Sequence, residues 1–239
     1  MNTRKLEDLK PRMIAHRGVS GLERENTCAA FVAAGNRSYF GIETDVHLTA
    51  DGQYVIIHDD TTTRVAGVEM TVEETDFATL RSLRLLDRES ESPRWDLVLP
   101  TLDEYIGICK KYDKIAVLEL KNPMPEACVV EIIQAVEAMG YADKMVVISF
   151  AWENMVLLRK NFPNQKAQFL LKEWDDKWLA ELQKYSLGLD IKHTAITTEL
   201  VEKIHFIGQE INCWTVDDPA DAARVIACGV DYITTNILE

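Results

Sequence analysis

Short apolar runs alternate with longer amphipathic stretches along almost the whole chain. Met13-Ile14-Ala15 reads as a strand, and residues 27–36 as a helix capped by Asn26 or Thr27, whose side-chain oxygens can accept from the free N–H groups of a first turn. Gly41 to Leu48 is a second strand. Asp51-Gly52 marks a tight hairpin turn, and Tyr54 to Ile57 returns antiparallel to the strand before it. Residues 59–100 lose the rhythm: they are rich in Thr, Glu, Arg and Asp, and predict one helix near 71–83 in an insertion over one end of the fold.

The alternation then resumes. Thr101 to Lys111 is helical, with Thr101 and Glu104 spaced as a capping box. Ile115 to Leu120 is a strand, and Pro125 to Met139 a helix closed by Gly140. Strand and helix pairs follow at Met145–Phe150 and 152–161, at Lys166–Leu171 and 175–185, at Leu187–Ile191 and 197–208, and at Ile211–Val216 and 218–228. Val230 to Thr234 is a last strand. Without the return at 54–57 the count is eight strands, the rhythm of an α/β, TIM-like (β/α)8 barrel with a small insertion after the second strand and its hairpin. An open doubly wound sheet would want a glycine-rich nucleotide fingerprint, and none is present. One barrel domain over 1–239 is expected.

Composition narrows the partners. The 239 residues are 47% hydrophobic and 27% charged, ample for a sizeable core. A net charge of −13 repels nucleic-acid backbones and anionic membranes, yet a local cation can reverse the potential inside a pocket. The five cysteines (28, 109, 128, 213 and 228) form no C-x-x-C pair and read as reduced, buried thiols. The stretch from Met1 to Lys10 is polar, without the apolar core of a signal peptide, and no run approaches the ~18 apolar residues of a membrane span. A cytoplasmic location is expected, with no nucleic acid and no stable membrane insertion; homo-oligomer formation is left open.

The chemistry gathers at strand ends, which in such a barrel converge on one mouth. His16-Arg17-Gly18 follows the first strand, and Glu43 and Asp45 lie two apart on the second, sharing a face. His58 ends the hairpin return; Glu119 ends the next strand, with Lys121 on its face. Carboxylates crowded together repel unless a proton or a cation intervenes. Three oxygen donors without cysteine suggest a hard cation, Mg2+ or Ca2+. Each part has a plainer reading: a solvated acidic face, a structural histidine, a surface lysine, a turn glycine. Two histidines beside clustered carboxylates suit proton transfer to and from oxygen, and Arg17 offers a fork for phosphate oxygens.

These residues resemble the glycerophosphodiester phosphodiesterase family. The likeness runs through I-A-H-R-G at 14–18, E-N-T at 25–27, I-E-T-D-V at 42–46, T-A-D-G at 49–52 and V-I-I-H-D at 55–59. It continues through L-P-T-L-D-E at 99–104, L-E-L-K at 118–121, I-S-F at 148–150, C-W-T-V at 213–216 and G-V-D-Y-I-T-T at 229–235. The resemblance implies metal-dependent hydrolysis of small glycerophosphodiesters to glycerol 3-phosphate and an alcohol. Glu43, Asp45 and Glu119 would hold the divalent metal, His16 and His58 would be the acid/base pair, and Arg17 and Lys121 would contact phosphate. Trp214 would line the glycerol pocket. Whether water or the substrate's own hydroxyl attacks, and which histidine is the base, stays open. Arg24 stands where the family often has proline, His47 where glutamine is usual, and Asn236 where an aspartate is typical. A phospholipase-type relative and a catalytically silent barrel are the competing readings; the former is disfavoured by the acidic charge, the latter by the filled catalytic positions.

Overall fold

The computed structural model describes residues 2–6 and 11–239, so much of the polar N-terminal stretch lies outside the described residues. Among the described residues nine strands run in order: β1 (Arg12–Ala15), β2 (Gly41–Leu48), β3 (Tyr54–Ile56), β4 (Ile115–Leu120), β5 (Met145–Ser149), β6 (Ala167–Leu171), β7 (Gly188–Lys192), β8 (Ile211–Trp214) and β9 (Tyr232–Thr235). Eight of them are parallel neighbours around a ring, and β1 closes it by pairing with both β2 and β9. β3 hangs outside the ring, antiparallel to β2, as the hairpin pattern predicts. The expected TIM-like barrel is thus present, with helices between the strands.

Period-two alternation sorts the residues of each strand. Outward side chains such as Ile42, Val46, Leu118 and Val147 join the helices in the main core. Inward ones divide by height. Ile14, Val117, Ile148, Leu170 and Tyr232 fill the lower barrel as an apolar cluster. Glu43, Asp45 and Glu119 stand above them, and the register that sets Asp45 beside Glu119 brings the carboxylates side by side.

Caps place the helix starts. Thr27 accepts from the Ala30 N–H, ahead of the helix Cys28–Gly35. Thr101 and Glu104 make the reciprocal capping box ahead of Leu102–Tyr112. The insertion departs from expectation. In place of one helix at 71–83 there is a short 3-10 turn, Val72–Glu74, and a six-residue helix, Phe77–Ser82. Thr75 and Asp76 between them are extended, with ψ of 139° and 144°, which breaks the helical path. A short helix Thr63–Ala66 lies ahead of them. Val55, Ile57, Val65, Val72, Leu80 and Leu97 give this region an apolar cluster of its own.

Candidate active site

The first strand leaves the barrel through two left-handed residues, Arg17 at φ 53° and Gly18 at φ 73°. A Cβ on Gly18 would lie 2.7 Å from the Ala30 backbone, so glycine is required there; the position is more than a permissive turn. This turn aims the Arg17 backbone N–H at Glu43 Oε2, 2.8 Å away. Its guanidinium reaches Glu25 Oε1 at 2.8 Å and Asp45 Oδ2 at 3.6 Å.

One carboxylate oxygen from each of Glu43, Asp45 and Glu119 lies within 4.8 Å of the others, and all three groups are buried. They cannot all be charged without a cation. Burial, then Asp45, pushes Glu43 well above the usual carboxylate range, and burial with Asp45 lifts Glu119 to about 7. Burial also opposes ionisation of Asp45, but Arg17, Lys121, His58 and an Asn26 hydrogen bond outweigh it, bringing Asp45 down to about 2. The charge therefore sits on Asp45, which two cations face, Arg17 at 3.6 Å and Lys121 at 3.5 Å; Lys121 Nζ also reaches Glu119 at 2.9 Å. Asp45 Oδ1, buried and without a hydrogen-bond partner, is left with an unused acceptor. An all-oxygen donor set with a spare buried acceptor fits a hard divalent cation.

Asn26, at φ 52° and buried, donates to Asp45 Oδ2 at 2.8 Å and accepts from Thr44 Oγ1 at 2.7 Å. It orients a carboxylate the sequence had marked, while the E-N-T motif itself gave no such role away. The histidines flank the cluster. His16 Nδ1 lies 2.7 Å from Asn236 Oδ1. Burial and the Arg17 charge lower His16 to about 4. His58 Nδ1 lies 2.7 Å from Asp59 Oδ1, and burial lowers it too, against the pull of Asp45 and Asp59. Asp59 is tied through Arg64 to Glu25: Arg64 Nε reaches Asp59 at 2.7 Å, and its Nη1 reaches Glu25 at 2.6 Å. Burial would raise Glu25, but Arg64 and Arg17 outweigh it and hold the carboxyl at about 2.

His16, Arg17, Glu43, His58, Glu119 and Trp214 line one small cavity of about 50 Å3, closed on its other side by Phe150, Ile148 and Leu170. Asp45 and Lys121 reach it through their ion pairs. Trp214 meets Phe150 edge to face at 5.6 Å, and its buried indole N–H has no partner. A wider cleft of about 520 Å3 opens beside His16 and Arg17, walled by Ser20, Glu25, Arg88 and Asp217. His47, the departure that falls on β2, stays out of the cavity. Its Nδ1 is 3.1 Å from Glu73 and its Nε2 is 3.3 Å from the His58 carbonyl, so it ties β2 to the insertion. Arg24, where proline is common, donates to the Leu86 and Asp87 carbonyls at 2.6 and 2.8 Å. Asp190, which the apolar pattern of β7 does not single out, lines the same cavity with a buried, unpartnered Oδ1.

The family model of the Glycerophosphoryl diester phosphodiesterase family matches residues 16–239. A glycerophosphodiester phosphodiesterase of Caldanaerobacter subterraneus is 32% identical over 234 residues, covering 95% of each chain. A phosphodiesterase of Oleispira antarctica, solved in complex with the product sn-glycerol-3-phosphate, is 26% identical with a TM-score of 0.83, over 98% of this chain and 96% of its own. A protein of Silicibacter pomeroyi at 22% identity and a TM-score of 0.86, over 98% of this chain and 92% of its own, shares the fold.

Proposed function

Because this chain belongs to the glycerophosphoryl diester phosphodiesterase family and is a phosphodiesterase of that kind, we propose that it performs metal-dependent hydrolysis of glycerophosphodiesters to glycerol 3-phosphate and an alcohol, with two histidines moving the protons. The observation that carries this reading is the trio of buried carboxylates with the unused acceptor on Asp45, set between two histidines at the barrel mouth.

Glu43, Asp45 and Glu119 hold the divalent cation, Mg2+ or Ca2+. When bound, such an ion neutralises charge that develops on phosphate oxygens. Arg17 and Lys121 already sit against the carboxylates, and a phosphate entering the cavity meets both cations. One histidine takes the proton of the attacking hydroxyl, and the other gives one to the departing alkoxide. Trp214 and Phe150 form an apolar wall, and the free indole N–H offers a donor to a glycerol hydroxyl. The Oleispira antarctica enzyme with its bound product supports glycerol 3-phosphate as the retained half. The cleft past His16 leaves room for the alcohol that departs.

The test is release of glycerol 3-phosphate from a panel of glycerophosphodiesters, after chelation and then with Mg2+ or Ca2+ restored. Turnover that needs the added metal is expected. Full activity in excess chelator would remove the metal from the scheme, and no product from any diester would remove the substrate class.

A further inference from the structure

Asp190 lies on β7, and the ring order sets β7 four strands from β2 whichever way the barrel is followed. It therefore stands across the mouth from Glu43 and Asp45. Among the described residues the carboxylates that could share a cation are Glu43, Asp45 and Glu119, and Asp190 is not one of them. The residue is 2% exposed. Burial pushes its carboxyl well above the usual carboxylate range, opposed in part by Asn212, and Glu119 adds to the push; none of these groups is a cation. Asn212, its register partner on β8, donates from Nδ2 to Thr234 Oγ1 at 2.9 Å. Asp190 Oδ1 is left without a partner. A buried polar atom in that state costs about 1–3 kcal/mol, and such atoms call for a ligand that completes them. Trp214, on the adjacent strand, carries the opposite kind of unused group, a buried indole N–H. One can accept and the other can donate, and both residues line the same cavity of about 50 Å3. A hydroxyl is the smallest group on an organic ligand that accepts on one side and donates on the other. The apolar walls, Ile148, Phe150 and Leu170, offer such a hydroxyl nothing else to bond.

We propose that Asp190 is a specificity-determining residue that, together with Trp214, admits only substrates whose glycerol half keeps its terminal hydroxyl free. The indole N–H donates to that hydroxyl's oxygen, and the hydroxyl donates to Asp190 Oδ1. This rests on the glycerophosphodiester reading above. A phosphate held at the carboxylate trio and Arg17 projects its glycerol half across the barrel, and β7 and β8 are the strands that meet it there. An ester at the terminal position has no proton to give Asp190, and an acyl chain has no room in so small a cavity between Ile148, Phe150 and Leu170. A substrate with hydrogen in place of the hydroxyl fits but leaves both buried groups unpartnered, and that penalty falls on binding. The pair thus separates deacylated diesters from lysophospholipids within the same chemistry at phosphorus.

Three substrates with one head group test this: glycerophosphocholine, its 1,2-propanediol analogue, in which hydrogen replaces the terminal hydroxyl, and 1-acyl lysophosphatidylcholine. The wild-type enzyme is expected to lose at least about a hundredfold in kcat/KM on the analogue, and at least as much on the lysolipid, because a site built to bond a hydroxyl rejects a substrate without one. Asp190→Leu should lower kcat/KM for glycerophosphocholine far more than for the analogue, which shrinks the ratio between them below about tenfold. Trp214→Phe, which keeps an aromatic wall and removes the N–H, should shrink that ratio independently. Asp190→Asn, which keeps an acceptor oxygen, should hold more of it than Asp190→Leu. Removing an unpartnered buried carboxyl should leave Asp190→Leu at least as stable as wild type in a thermal melt. Equal turnover of glycerophosphocholine and the analogue by the wild type, a lysolipid turned over as fast as its deacylated form, or equal losses on both diesters in Asp190→Leu would overturn the proposal. No hydrolysis of any glycerophosphodiester by the wild type would instead overturn the reading on which it rests.

Discussion

The same inward faces of the barrel do opposite work at two heights. Low in the barrel, Ile14, Val117, Ile148, Leu170 and Tyr232 pack as an apolar cluster, with only the Tyr232 hydroxyl turned to polar partners, Glu210 and Arg12. One layer up, Val117 gives way to Glu119 on β4, and Gly41 gives way to Glu43 and Asp45 on β2. The lower layer stabilises the fold, since each buried apolar side chain contributes roughly 1.5–3 kcal/mol. The upper layer costs stability. Two of its three carboxylates are pushed above their ordinary range by burial and by Asp45, and Asp45 itself is held ionised by Arg17 and Lys121. A strand of eight residues thus carries the closure of the ring at one end and reactive groups at the other. The rigid lower half is what lets the upper half hold crowded charge in place.

The sharpest way to break this contrast is to take away the divalent cation proposed for the upper layer. Chelation should abolish turnover while leaving the barrel folded by circular dichroism; loss of structure together with activity would mean that the apolar floor cannot stand alone. Next in size, His16→Ala or His58→Ala should each cut turnover of an alkyl diester at least about a hundredfold, with the melting temperature nearly unmoved. Near-normal rates in both would strip the upper layer of its chemical role. The floor should answer in the other currency. Ile14→Ala is expected to lower unfolding free energy by about 2–5 kcal/mol by denaturant titration, with activity per folded molecule largely kept. A variant that stays as stable as wild type but loses activity would show that the two layers are not separable.

The smallest effect is one of pH. Without metal, Glu119 sits at about 7, above its ordinary value of 4.5. A proton is therefore bound more tightly in the folded state, and that contribution is present below about pH 4.5 and lost as pH rises through about 7. His16, lowered from 6.5 to about 4, pulls the other way: its contribution is present above 6.5 and lost as pH falls through about 4. Glu119→Gln leaves His16 as it is, so the difference in melting temperature between metal-free wild type and variant isolates the carboxyl. That difference should shift in the variant's favour from pH 5 to pH 8. A pH-independent difference would argue that the carboxylate is not strained by its neighbours.

Much of this was written in local pattern. β2 and β4 begin and end where the apolar periodicity puts them, and so does the helix Trp152–Asn161. Spacing set Glu43 and Asp45 on one face, and strand-end placement in a barrel brought Glu119 to the same mouth. The insertion was harder. Its polar residues satisfy a helical count over 71–83, yet Thr75 and Asp76 turn extended, because Val72 and Leu80 must reach one apolar cluster from separate short pieces. The partners of the reactive groups were hidden for a different reason. Asn236 meets His16 across 220 positions of sequence, and Asn26 meets Asp45 across 19. No period or turn signal records a contact made by closing a ring. Asn236 looked like a departure that clouded the substrate side; its place behind His16 came into view only with β9 laid beside β1.

Glu23, Arg24 and Glu25 are three consecutive residues, and each grips the insertion: Glu23 by Arg94, Arg24 by the Leu86 and Asp87 carbonyls, Glu25 by Arg64. The ring closes without β3 or anything beyond it up to Thr101, so barrel and insertion can drift apart in sequence at different speeds. The tripeptide is where that freedom stops. An insertion transplanted from a relative would have to bring its own matching clasp, and exchange of 59–100 together with 23–25 should succeed where exchange of 59–100 alone leaves Arg17 and the catalytic mouth without their outer support.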